Sequence, residues 1–162
     1  MNTYVIPCLA ALAACFGFSL LYHIRGKNLL FASLCGAFAW AVYLLASNCF
    51  ALGILSYLLA GAAAALYSEA AAFVLKSPVT VFLIPGIIPT VPGLAIYRTM
   101  ENCLLGNVDG FLNSGIEAMK IGGAIALGLI LASSLCRLSR AGIQRAKTYR
   151  ERKKTQYTSP PL

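Results

Sequence analysis

Apolar residues occur along this chain in long unbroken blocks. Residues 3–22, 29–47, 51–75 and 118–136 each run 19 to 25 positions with no more than one charged side chain. A helix of about 20 apolar residues crosses the ~30 Å hydrocarbon core of a bilayer. Helices are favoured for the crossing because lipid offers no partner to an open backbone. The short alternating segments of a transmembrane barrel do not occur. A further apolar segment, 79–97, is interrupted by proline and glycine.

The blocks are separated by His23-Ile24-Arg25-Gly26-Lys27-Asn28, by Ser47-Asn48 and by Lys76-Ser77-Pro78. A mixed polar stretch, Arg98 to Glu117, carries the turn signals Gly106, Asn107, Asp109 and Gly110. This pattern predicts an all-α polytopic membrane protein of about five transmembrane helices, the fourth interrupted, over residues 1–138. The last helix is expected from about Ala118, or from near Phe111 with Asp109 as its cap. The basic tail, 139–162, is expected to be largely disordered.

Small residues recur every fourth position at Ala60, Ala64, Ser68 and Ala72, at Ala118, Gly122 and Ala126, and at Ala124, Gly128 and Ala132. Such faces let membrane helices approach closely, so the third and fifth spans are expected to pack on neighbours or on a partner chain.

Composition agrees with a membrane setting. Hydrophobic residues make up 59% of the chain and charged residues 11%, against about 25% charged in soluble domains. The net charge of +8 raises nucleic acid as a partner, but its distribution argues otherwise. Between Arg137 and Lys154 lie eight basic residues and one acid, Glu151. The basicity is therefore that of a juxtamembrane tail suited to anionic lipid headgroups. No nucleic-acid partner is expected. With five spans, Arg25, Lys27, Lys76 and the eight tail residues share one side, and Arg98 and Lys120 lie on the other. That asymmetry places the N-terminus outside and the tail in the cytoplasm of a plasma or inner membrane.

The N-terminus has no basic leader. Leu12-Ala13-Ala14-Cys15 has the look of a lipoprotein processing box, yet the chain stays apolar to Tyr22, so the block reads as a span. None of the six cysteines forms C-x-x-C, and none has metal-ligand spacing to His or Asp. Cys49 and Cys103 fall in loops on one side, which leaves a disulfide between them open. His23, the single histidine, sits in a basic loop. There is no Ser-His-Asp set and no Gly-rich phosphate loop, so no enzyme, cofactor or metal site is expected.

The most informative stretch is Pro85-Gly86-Ile87-Ile88-Pro89-Thr90-Val91-Pro92-Gly93. On an ideal helix, prolines 78, 85, 89 and 92 fall within an arc of roughly 60°. Pro89 would free the carbonyl of Pro85, and Pro92 that of Ile88. Broken backbone at membrane depth is tolerated where protein buries it or water reaches it. Transporters use such breaks to hold substrates and ions. The candidate substrate-binding residues are therefore Pro85, Gly86, Pro89, Thr90, Pro92, Gly93 and Tyr97. Glu69 joins them as the acid within a span, with a carboxylate paired to Lys76 as the alternative.

The run Pro78-Val79-x-Val81-Phe82, then Ile84 through Pro89, Pro92-Gly93, Tyr97 and Met100, resembles the signature region of the threonine/serine exporter family. It is most similar to the small, C-terminal-type membrane component. Gly17-Phe18, His23-Ile24 and Leu29-Leu30 to Gly36 extend the resemblance, which covers roughly residues 5–138. The resemblance implies one part of a two-component exporter whose larger membrane subunit is fused or separately encoded. It also implies efflux of threonine, serine or a small carboxylate such as succinate. The family pattern commonly has a bulky apolar residue after Pro89. Thr90 places a hydroxyl there and leaves the substrate open. The rival reading is a non-transporting scaffold subunit that assembles a partner membrane protein. A homo-oligomer is also compatible with the small-residue faces.

Overall fold

A computed structural model describes residues 2–158, with side chains over 5–139 apart from that of Cys49. The described residues form six α-helices and one 3-10 turn. They are α1 (Asn2–Leu21), α2 (Lys27–Phe50), α3 (Ile54–Leu75), α4 (Thr80–Ile87), the 3-10 turn Ile88–Thr90, α5 (Gly93–Leu104) and α6 (Val108–Thr158). The fold is all-α and polytopic. Lys27–Asn48, Ile54–Leu75 and Val108–Ser139 are each long and apolar enough to cross a membrane. Thr80–Thr90 and Gly93–Leu104 pass that test together, as a pair bent by 55°. The apolar part of the first helix, Val5–Leu21, is shorter, at the lower edge of the ~17–25 residues that span a bilayer. A count of five requires both α1 and the bent pair to cross.

The outward faces are apolar. Leu9, Leu34, Phe38, Leu66, Phe73, Ile130 and Leu131 are all exposed. In water this would be a very large apolar surface, whereas lipid requires it. The interior is built from small side chains. Ala32, Cys35, Ala39, Ala60, Ala64 and Ala65 are fully buried, as is the much larger Phe82. Phe82 packs with Ala32, Ala71 and Ala72, and so clasps α4 against α2 and α3.

Of the two small-residue ladders on the last helix, one is used. Ala124, Gly128 and Ala132 are buried, whereas Ala126 is exposed. A Cβ on Gly128 would strike the Leu58 carbonyl oxygen of α3, and one on Gly61 would lie 2.8 Å from the Ile125 carbonyl oxygen. Backbones therefore touch where α3 crosses α6, as small residues allow.

The helix ends correct two details. The second helix runs through Ser47-Asn48 to Phe50, and stops where Ala51 adopts the left-handed region at φ 48°. The last helix is capped by Asn107, not Asp109, because the Asn107 Oδ1 accepts the Gly110 N–H at 3.1 Å. Gly106, at φ +68°, turns the chain just before it. The segment 108–139 is 32 residues long, roughly 48 Å at 1.5 Å per residue. It therefore outreaches a ~30 Å hydrocarbon core. If Arg137 marks one boundary, the other falls close to Glu117. Beyond Ser139 the same helix continues into the basic segment as far as Thr158.

Candidate functional site

The proline motif produces a true break. The backbone is helical through Ile87 and tightens into a 3-10 turn at Ile88–Thr90. Val91 is then extended at φ −58°, ψ 137°, as the residue before a proline prefers. Pro92, at φ −75°, ψ 53°, is the centre of an inverse γ-turn, and the Gly93 N–H donates to the Val91 carbonyl at 2.7 Å. The α5 helix starts from this corner in a new direction. Its first turn leaves the N–H groups of Leu94 and Ala95 without helical acceptors.

The two carbonyls expected to be freed for a ligand are both occupied. The Cys15 thiol donates to the Pro85 oxygen at 3.1 Å. The Val91 N–H donates to the Ile88 oxygen at 3.3 Å. Cys15 is fully buried, so the thiol that resembled a processing site is a packing group of α1. Gly86 has a packing role of the same kind. A Cβ there would collide with the Cys35 Sγ, and that Sγ lies 3.4 Å from the Ser68 Oγ. The first half of the motif thus locks α4 onto α1, α2 and α3.

The second half opens onto a cavity of about 370 Å³, a volume within the roughly 300–1,000 Å³ of small-molecule sites. Pro89, Thr90, Val91, Pro92 and Gly93 line it, together with Trp40 from α2, Tyr57 from α3, Arg98 from α5 and Glu117 from α6. Thr90 is 1% exposed and its hydroxyl donates to the Ile87 carbonyl at 2.7 Å. Trp40, Tyr43 and Tyr57 form an aromatic run, with ring centroids 5.0 and 4.6 Å apart. The Tyr43 hydroxyl donates to that of Tyr57 at 3.1 Å. The indole N–H of Trp40 is buried without a partner. A second, larger cavity of about 560 Å³ lies between α5 and α6, with Met100, Cys103, Phe111 and Met119 in its lining. No charged side chain lines that groove, so it offers a charged solute nothing.

Of the eight residues singled out from the sequence, Pro89, Thr90, Pro92 and Gly93 line the charged cavity. Pro85 and Gly86 are buried in helix packing instead. Tyr97 is 64% exposed and is not part of the lining. Glu69 is buried on α3, likewise outside the lining. The sequence reading passed over Trp40, Tyr57, Arg98 and Glu117 as site residues. For Arg98 and Glu117 the signal is their place on either side of the turn at 105–107, seven residues before it and ten after it.

Residues 7–135 match the family model described as Threonine/Serine exporter, ThrE. No curated protein and no solved structure matches the chain. The broken helix, the apolar exterior and a match over most of the length agree: the chain belongs to the threonine/serine exporter family, a family of transporters.

Proposed function

We propose that the chain is the small membrane subunit of a two-component secondary exporter for threonine, serine or a similar small carboxylate. The observation that carries this reading is the cavity at the Val91–Pro92 break, which brings charged side chains to a helix start. Broken helices at membrane depth are where transporters build their sites. The sequence has no Gly-rich phosphate loop, which supports gradient-driven or downhill transport over ATP-driven transport. In cells loaded with a threonine-containing dipeptide, deletion of the gene is expected to slow efflux of threonine or serine. Unchanged efflux of threonine, serine and dicarboxylates would sink the substrate assignment.

The membrane is the plasma or inner membrane, with the N-terminus outside and the basic tail in the cytoplasm. The one-sided distribution of basic residues supports this orientation. Single cysteines placed at Asn2 and Thr155 are expected to react with an impermeant reagent from opposite sides. Labelling of both from the same side would refute the orientation.

A further inference from the structure

Resting on the exporter reading, we infer that the cavity beside the break is a zwitterion site. Arg98 takes the carboxylate of an α-amino acid, Glu117 takes its ammonium group, and Glu117 thereby selects amino acids over dicarboxylates. Arg98 and Glu117 come from different helices and line the same cavity. Among the described residues no ion pair joins them, so each keeps its charge for a ligand. Both are exposed, which puts them at the mouth of the cavity where a solute enters.

The carboxylate end is defined by two features. Arg98 presents a planar fork that binds a carboxylate through two parallel hydrogen bonds. Leu94 and Ala95, also in the lining, bring the N-terminal turn of α5, whose open N–H groups carry partial positive charge. Helical side chains lean toward the N-terminus of their helix, so Arg98 extends over that same turn.

The ammonium end is Glu117, one helical turn before Ile121, which is itself buried in the cavity wall. A dicarboxylate anchored at Arg98 would set its second carboxylate against Glu117, and like charges at such range are strongly unfavourable. Trp40 lines the same cavity from α2.

Trp40 is the sole tryptophan, so its fluorescence reports on this cavity directly. The test uses the purified full-length chain in lipid nanodiscs, titrated with L-threonine, 2-aminoethanol and succinate, with calorimetry alongside. L-threonine is expected to bind saturably, and the other two at least about tenfold more weakly, since each lacks one of the paired charges. Glu117→Gln is expected to weaken L-threonine by about tenfold and to narrow or reverse its preference over succinate. Glu117→Asp is expected to keep the preference. Arg98→Gln is expected to weaken L-threonine without improving succinate. Saturable binding of none of the probes, or an unchanged threonine-to-succinate preference in Glu117→Gln, would overturn the inference. Efflux separates the two readings. If deletion slows efflux while the Arg98 and Glu117 variants bind and export like wild type, the exporter stands and the zwitterion site falls. If the binding preference follows Glu117 while deletion leaves efflux unchanged, the site stands and the exporter reading falls.

Discussion

A methyl group on Gly86 would run into the Cys35 Sγ and come within 3.1 Å of the Cys35 Cβ. Overpacking of this kind costs about 1–3 kcal/mol. Gly86→Ala is therefore expected to lower the melting temperature of the purified protein, and Cys35→Ala in the same chain is expected to restore part of the loss by removing the sulfur. If the double variant melts no higher than Gly86→Ala alone, the sulfur is not what the glycine accommodates. The residue scale is also where the sequence was hardest to read. A glycine admits either a ligand or a neighbouring helix, and both uses need a missing Cβ. Gly86 and Gly93 lie seven positions apart in one motif, yet the first packs on Cys35 and the second faces the cavity. Only the positions of α1 and α2 separate these roles. Thr90 was easier to read, because a hydroxyl inside an apolar proline motif has few reasons to be there other than local bonding or a solute.

Between elements, the closest approach is that of α3 to α6. A Cβ on Gly128 would meet the backbone oxygen of Leu58 and lie 3.0 Å from the Ala62 nitrogen, whereas one on Gly122 would meet nothing within 4 Å. Exchange of glycine for alanine inside a helix gains up to about 1 kcal/mol of propensity. Gly122→Ala should therefore melt at or slightly above the wild-type temperature. Gly128→Ala should melt several degrees lower, because rigid backbone cannot yield as a side chain can. Equal behaviour of the two variants would mean that α3 and α6 do not cross at Gly128. Both ladders were visible in the sequence, since period-four spacing is a property of sequence alone. The choice between them was not. Gly122 and Gly128 lie on well-separated faces of one helix, and only the neighbour decides which is filled. The apolar blocks and the proline break were legible for a similar reason, because lipid imposes length and proline removes a donor wherever they occur. The segment 98–117 was not. Its turn signals lie at 106–110, and the charges on either side bear on orientation. The structure confines the turn to 105–107 and continues both helices, and this is what brings Arg98 and Glu117 to one cavity.

At the scale of the whole molecule, the described residues hold one interrupted span. Alternating access generally needs two repeats or bundles that move against each other about a central site. Among the described residues the other helices have no matching break, and the break that exists is held firmly on one side. Phe82, Cys15 and Cys35 are fully buried around the first half of the motif, and the Asn28 Nδ2 donates to the Ser77 Oγ at 3.0 Å to tie the start of α2 to the loop before α4. The cavity lies beyond this clasp. A pathway through the membrane must open the clasp or pass beside it, and either route calls for a second body to move against. We propose that this body is the larger exporter-family membrane subunit. The tagged chain, solubilised gently, is expected to co-purify with it, and vesicles holding both chains are expected to take up threonine or serine where vesicles holding either alone do not. Uptake by the larger subunit alone at the full rate would favour the scaffold reading. Transport by a homo-oligomer of this chain, with no second membrane protein present, would overturn the two-component proposal.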